Sequence, residues 1–498
     1  MGPKMINRFP GFRYAVTAIG AMALRDPDSL YRKIRERIRQ SFGLALPQVS
    51  FGGDSSRGAS NAEKLGNLSE AYKTSRIANS KVRIRQKQET LALPILDAVA
   101  VSGTKASPTV LAYLTNALPY TQSGYTIRSQ KVLEAMQHAG AEVVACTRSG
   151  YPWIIGKVPD GRSWTVGTIS YSALFPDRYR RDVAERFAEA VKVLVQQSRK
   201  VGANVLYTTS DFKNAQIVSV AARMLSIPWI YEVRGEPENT WLSRFDPQDK
   251  VEARQSEFYQ RARNQELQAM QSASRVVVLS ELSKFSLVSR GVQESKIYVI
   301  PNSVDRELLE EFRSPSQNAD RITVGTITSL VGYEGVDDLI RAFQFLDKRY
   351  SLVIVGDGES REMLEELSES LKLSGRVRFV GRRPRSEVKS WYKKLDVFAM
   401  TRKDSEVTRI VTPIKALEAQ ALGVPVVASD LPALREVTGG RAIFCAPEDP
   451  KSISKAIREA AGNRELAEKS REWVQGRTWG NVSEAYQKVF EDLGFSTR

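Results

Sequence analysis

Histidine and cysteine are almost missing from this chain: there is one imidazole, His138, and two thiols, Cys146 and Cys445, far apart in sequence. So small a set cannot furnish a typical zinc site, a histidine-based triad or a disulfide framework, and the shortage of cysteine suits a reducing compartment. His138 falls within a helical pattern and reads as a surface or core-edge residue. Long apolar runs are missing too. A membrane-spanning helix needs roughly 18 apolar residues, and the best candidate, Tyr14 to Leu24, stops short of that. Arg13 and Arg25 bracket it without a clear small-residue cleavage site, so it does not read as a secretory signal.

What is present is the composition of an ordinary soluble protein, 42% hydrophobic and 26% charged, in 498 residues that allow two or three domains. The charge is unevenly placed. Residues 1–105 hold 18 Lys and Arg against 8 Asp and Glu, so this segment supplies most of the net charge of +16. Such asymmetry suggests a basic attachment segment rather than a uniformly basic surface. Within it, Leu30, Ile34, Ile38 and Phe42 recur every four residues while Arg32, Lys33, Arg35, Arg37 and Arg39 fill other faces, which predicts a basic amphipathic helix over residues 28–42. Three occupants suit that helix: an anionic membrane surface, the body of the protein, or nucleic acid. Phe51 to Ser60 is rich in Gly and Ser and reads as a flexible break. A second basic run, Lys81 to Lys87, has no ladder of aromatics for stacking bases.

From Val110 onward the pattern is strand, turn, helix, repeated. Val110–Leu114, Glu142–Thr147, Asn204–Thr208, Trp229–Val233 and Val276–Ser280 are short apolar runs suited to buried parallel strands. After Pro301-Asn302-Ser303 the pattern restarts with Ile322–Ile327, Ser351–Val355, Val377–Val380, Val397–Met400 and Val424–Ser429. The fold class predicted is α/β, with two Rossmann-like domains in tandem. The expected boundaries are a basic, partly helical extension over 1–105, a first domain over 106–300, a second over 301–475, and a C-terminal helix over 476–498 packing back on the first domain. Ligands in such folds bind outside the carboxyl ends of the strands, here in a cleft between the domains.

Several loops fall at those ends. Thr121-Gln122-Ser123-Gly124-Tyr125 opens a helix carrying Arg128, and Gly124 would let backbone approach a ligand closely. Glu232 and Arg234 end another strand in Tyr231-Glu232-Val233-Arg234-Gly235. Gly325 through Gly335 forms the first strand-to-helix turn of the second domain, and Gly356-Asp357-Gly358 reads as a structural turn after the next strand. The stretch from Ile410 to Ala419 looks built to hold an anion: Thr412 is a good N-cap, Pro413 suits the first helical position, and Lys415 lies in the first turn. Glu418 sits on nearly the same helix face as Lys415 and can accept from a sugar or ribose hydroxyl.

These loops, taken in order, resemble the retaining, nucleotide-sugar-dependent glycosyltransferases of family 4, which have the two-domain GT-B architecture. The resemblance spans residues 108–490 and rests on Ser123 to Arg128, Tyr231 to Gly235, Ile300 to Asp305, Val355 to Gly358, and Thr412 to Lys415 running into Leu417-Glu418-Ala419. It implies that the second domain binds a nucleotide sugar through Ser329, Arg402, Thr412, Lys415 and Glu418, with Gly124 approaching the donor phosphates or the acceptor. Tyr125, Arg128 and Arg234 then belong to the acceptor side. The chain departs from the family pattern in three places. Ile410 stands where many members have a second glutamate, Tyr207-Thr208-Thr209 replaces a strand-end histidine, and Glu334 stands where many members place a lysine. A glutamate there would repel a diphosphate, so Lys415 and Arg402 are expected to supply the missing charge.

The activity implied is transfer of a sugar from a UDP- or GDP-linked donor to a glycan or lipid-linked acceptor, in cell-surface polysaccharide or glycoconjugate synthesis. Lys415 would stabilise the leaving diphosphate, and Glu232 would act as an acceptor-orienting or basic group or form a structural pair with Arg234. No cofactor is implied, and no metal is needed where cationic side chains replace Mg²⁺. The expected location is cytoplasmic, with residues 28–42 on the inner face of a membrane. The alternative is a non-catalytic GT-B-like protein that binds an anionic polymer or scaffolds a complex. Nucleic acid is disfavoured, since no helix-turn-helix, zinc or stacking signature is present.

Overall fold

A computed structural model of the chain describes residues 11–25, 57–99, 106–315 and 320–497. The predicted basic helix over 28–42 lies outside the described residues. The chain divides into two compact units. Unit 1 comprises residues up to Val277, Val288–Tyr298 and Tyr486–Arg498, and unit 2 comprises Val278–Leu287 and Val299–Ala485.

Unit 1 is built on a sheet of eight strands: β1 (Thr109–Leu114), β2 (Glu142–Thr147), β3 (Ser163–Val166), β4 (Ile169–Ala173), β5 (Val205–Thr209), β6 (Trp229–Val233), β7 (Arg275–Val278) and β8 (Ile297–Val299). Their order is β3-β4-β2-β1-β5-β6-β7-β8, so the chain switches direction across the sheet after β1. Parallel neighbours require crossover helices, which cover both faces and explain why β5 and β6 are buried at every position and β1 at all but its first. The β3–β4 hairpin pairs Val166 with Ile169 antiparallel. Its strands alternate between exposed and covered positions, so they lack the continuous apolar run that marked the others.

Unit 2 has an all-parallel sheet in the order β11-β10-β9-β12-β13-β14, from β9 (Ile322–Ile327), β10 (Tyr350–Val355), β11 (Val377–Gly381), β12 (Val397–Met400), β13 (Val426–Ser429) and β14 (Ile443–Cys445). Period-two alternation divides its core. Leu352, Ile354, Val397 and Ala399 join one cluster, while Val353, Val355, Phe398 and Met400 join another on the opposite face. Among the described residues, no helix is long and apolar enough to cross a membrane.

The described part of the extension is folded into unit 1. A helix over Arg57–Leu65 begins inside the stretch expected to be a flexible break, which corrects that boundary. The basic run Lys81 to Lys87 lies on the helix Ala78–Leu91, and its charges are largely answered locally. Glu63 takes Arg83 at 2.6 Å and Lys87 at 2.7 Å, and Arg85 pairs with Glu89 at 2.8 Å. Gln216 donates to the Thr90 carbonyl at 2.9 Å, and the Ala98 N–H donates to the Ser272 carbonyl at 2.8 Å, which stitches residues 90–98 to the Rossmann-like body.

Behind β6, Glu266 is only 3% exposed. The Phe212 N–H and the Tyr231 hydroxyl donate to its two oxygens at 2.7 and 2.6 Å. Burial, and then the charges of Glu238 and Asp211, push its pKa up to about 8. Between the ordinary carboxyl value and 8 the folded chain keeps a proton that the unfolded chain has released, so stability falls as pH rises across that window and levels off above it. Glu266→Gln is expected to flatten this slope. Thermal melts of both proteins from pH 5 to 9 check it, and an equal pH dependence would refute the assignment.

Candidate functional site

In unit 2 the loops that follow β9, β10 and β12 meet at the carboxyl ends of those strands. Two of the contacts tolerate only glycine. Gly335 has φ +65°, and a Cβ there would lie 1.8 Å from the Thr401 carbonyl oxygen. At Gly356 a Cβ would lie 1.7 Å from the Thr328 carbonyl oxygen. Gly356 therefore serves the structural turn that the sequence suggested. Thr401 Oγ1 donates to the Gly335 carbonyl at 2.9 Å and Lys403 N to that of Tyr333 at 3.0 Å, so the loops are tied together through their backbones.

This frame buries Glu334, 7% exposed, against Arg402, 6% exposed. Arg402 Nη2 donates to Glu334 Oε1 at 2.9 Å, and its Nη1 donates to the Val411 carbonyl at 3.0 Å. Lys415 Nζ lies 3.8 Å from Glu334 Oε2 and donates to Thr328 Oγ1 at 2.5 Å. Burial alone would raise the Glu334 pKa, but Arg402 and Lys415 outweigh it and hold the carboxylate at about 2. Burial draws the Lys415 ammonium below its usual range, opposed by Glu334 and assisted by Arg402. One carboxylate thus faces two cations, and the cluster keeps one positive charge. Lys415 remains a quarter exposed and Ser329 is exposed beside Thr328 in sequence.

The helix that carries Lys415 starts later than the sequence suggested. It runs Lys415–Ala421 with Ile414 at its N-cap position, so neither Thr412 nor Pro413 opens it. The reason lies upstream. Asn302 donates to the Thr412 carbonyl at 2.9 Å and Arg402 to that of Val411, which holds these residues out of the helix, and the Thr412 hydroxyl is buried without a hydrogen-bond partner. Glu418 also differs from its expected open presentation. It is 3% exposed, paired with Arg385, and within 3.1 Å of the Tyr392 hydroxyl. Arg385 gave no sequence signal because it lies 33 residues away on another helix.

Unit 1 repeats the arrangement. Glu232, on β6, is fully buried between Arg128 Nε at 2.6 Å and Arg234 Nε at 3.1 Å, with Tyr207 also donating and the Tyr486 hydroxyl 3.5 Å away. Burial would raise its pKa, but the two arginines bring it to about 2. A carboxylate so acidic and so enclosed is no base, which corrects its catalytic assignment in favour of the structural pair. Arg128 and Arg234 are likewise 3% and 5% exposed, so neither presents itself to an acceptor as expected. Arg234 Nη1 instead donates to the Tyr125 carbonyl at 2.8 Å and to Ser129 Oγ at 2.7 Å. The triad pins the start of the helix Gly124–His138, whose Ser123–Thr126 capping box fixes its first turn. What that turn offers to solvent is Gly124, where a Cβ would meet no atom within 4 Å, and Tyr125, 59% exposed.

Glu334→Gln should strand Arg402 as a buried, uncompensated charge beside the partly exposed Lys415, at a cost of about 3 kcal/mol. The check is thermal or urea unfolding of the variant, and an unchanged midpoint would mean that the pair contributes nothing.

Residues 123–303 match the profile of the family described as Glycosyl transferase 4-like domain, and residues 309–476 that of Glycosyl transferases group 1. A phosphatidylinositol N-acetylglucosaminyltransferase subunit of Arabidopsis thaliana is 30% identical over 188 residues, covering 37% of this chain and 41% of that protein. The chain thus spans less than half the length of that curated relative. Among solved structures, sucrose-phosphate synthase from Thermosynechococcus elongatus aligns with a TM-score of 0.60 at 19% identity, over 77% of this chain and 99% of that one. HepE from Anabaena, in complex with UDP, aligns with a TM-score of 0.58 at 16% identity over the same shares, 77% and 99%. At these identities the two structures speak for the fold. A 4-like glycosyl transferase domain over residues 123–303 is thus followed by a group 1 glycosyl transferase domain over residues 309–476, on two Rossmann-like sheets of the GT-B fold.

Proposed function

We propose that the chain transfers a sugar, with retention at the anomeric carbon, from a UDP- or GDP-linked donor held by unit 2 to a hydroxyl of a glycan or lipid-linked acceptor. The observation that carries this reading is the surplus cation. Arg402 satisfies Glu334 in the buried pair, so Lys415 keeps its charge for a ligand at the carboxyl ends of β9 and β12. The glutamate in the lysine position is therefore no obstacle to a diphosphate, because its charge is already answered.

In the reaction the bond from the anomeric carbon to the diphosphate oxygen breaks and a bond to the acceptor oxygen forms. The acceptor proton passes to the departing phosphate, so no dedicated base is required. Negative charge grows on the leaving group, and a fixed cation there stabilises the transition state more than the bound donor. Lys415 is held for this by Thr328. Glu418 takes the ribose hydroxyls in this reading: Arg385 and Tyr392 fix its orientation, and each carboxylate oxygen retains acceptor capacity. Gly124 and Tyr125 form the exposed acceptor-side turn of unit 1. UDP in HepE and the phosphatidylinositol in the name of the Arabidopsis relative support the donor and acceptor classes.

Calorimetric titration with UDP, GDP and ADP is expected to show one preferred nucleotide, with binding weakened about tenfold or more by Lys415→Ala and by Glu418→Ala. Binding and transfer should persist in EDTA, since side-chain cations carry the charge. No binding of any nucleotide, or a strict metal requirement, would overturn the donor-site assignment.

The basic residues 28–42 attach the chain to the anionic inner face of a membrane in the same proposal. Because residues 57–99 are part of unit 1, the fitting test is deletion of 28–42 alone. Sedimentation with phosphatidylglycerol-containing vesicles should drop while nucleotide binding holds, and unchanged sedimentation would refute the attachment.

A further inference from the structure

At the opposite end of the unit 2 sheet from Lys415, where β9, β10 and β11 begin, lies an open cavity of about 450 Å³. Its polar walls are Ser351, Ser374, Arg376, Arg378, Trp391 and Lys394, and no residue lining it is acidic. The sequence places it there in two steps. Alternation on the edge strand β11 sends Val377 and Phe379 into one core cluster, so Arg378 falls on the other face of the sheet. The helix Arg385–Tyr392 crosses that face and contributes Trp391, which packs against the second cluster.

Arg376 is rigidly held. Its guanidinium donates to the carbonyls of Tyr350, Phe343, Leu346 and Asp347 at 2.7–3.2 Å. Arg378 and Lys394 are different: among the described residues neither has an ion-pair partner, and both stand over the same indole, 5.5 and 4.3 Å from its ring centroid. A third cation, Arg383, is 6.0 Å from that centroid. Cations gathered round one ring repel each other, and a bound anion would relieve that cost. The volume falls in the range of small-ligand sites, roughly 300–1,000 Å³.

We propose that this cavity binds an acidic saccharide, with its carboxylate or phosphate between Arg378 and Lys394 and its ring beside Trp391, over which those cations stand. The hydroxyls of Ser351 and Ser374 suit the sugar's own hydroxyls. A single indole cannot stack successive bases as single-strand binders do, and no large apolar side chain in the cavity is exposed as a lipid-inserting group would be, so a saccharide is the favoured ligand. The site is separate from the nucleotide-binding residues. It would hold an acidic glycan chain on unit 2 away from the reacting centre.

The test is titration of the full chain with a short oligogalacturonide, with a neutral malto-oligosaccharide of equal length as the reference. The acidic oligomer should bind and quench tryptophan fluorescence, and the neutral one should bind at least about tenfold more weakly. The double variant Arg378→Ala/Lys394→Ala should lose about tenfold or more in affinity for the acidic oligomer while nucleotide binding stays unchanged. Trp391→Phe, which preserves the packing, should abolish the quench. Equal binding by the double variant, or tighter binding of a single-stranded oligonucleotide or of phosphatidylglycerol vesicles at these same residues, would overturn the proposal. Because nucleotide affinity is read separately, its failure and that of the donor-site reading remain distinguishable.

Discussion

A buried carboxylate shared between two cations is the constraint on which both halves of this protein depend. Taking three charges out of water is expensive, and the expense is tolerable only where hydrogen bonds use nearly every donor and lone pair. Around Glu334 they do so through Arg402, Lys415, Thr328 and the Val411 carbonyl. Around Glu232 they do so through Arg128, Arg234, Tyr207 and Ser129. Each cluster keeps a formal charge of plus one, and each ties the end of a strand to the start of a helix or loop. In unit 2 the surplus charge is partly open to solvent. In unit 1 both arginines are enclosed, and what reaches the surface is the turn they hold.

This difference explains how the sequence could be right about where and wrong about what. Glu232, Arg234 and Arg128 stand at the carboxyl ends of strands or in the turns they feed, the address at which α/β proteins bind ligands. Spacing along the chain does not reveal that Glu232 points inward between two guanidiniums, because its partners come largely from other elements. The same holds for Glu418. Its helix face was legible from its distance to Lys415, whereas its tie to Arg385 was set by how the helix Arg385–Tyr392 crosses the sheet. Thr412 failed for another reason: a Thr-Pro pair is a good helix start only if nothing claims the backbone before it, and Asn302 and Arg402 claim it here.

The strands were far easier. Trp229–Val233, Ile322–Ile327 and Val397–Met400 emerge with the limits their apolar runs suggested, because a strand covered on both faces has to be apolar at nearly every position. The strands not foreseen, Ser163–Val166, Ile169–Ala173, Ile297–Val299 and Ile443–Cys445, are either half-exposed or only three residues long. Residues 57–99 show a further limit of composition. Their basic charge suggested a segment made for attachment elsewhere, yet Glu63 answers two of those cations and the helices complete the first unit.

The path of the helix Trp479–Asp492 sets the order in which the molecule can be finished. Its second half belongs to unit 1, where Tyr486 lies against the Glu232 cluster and Arg275 donates to the Asp492 carbonyl. The unit that the ribosome starts first is therefore completed by residues made after all of unit 2. During synthesis, unit 2 emerges whole while unit 1 still waits for its closing piece, and the Glu232 cluster lacks one of its walls until that helix has left the exit tunnel.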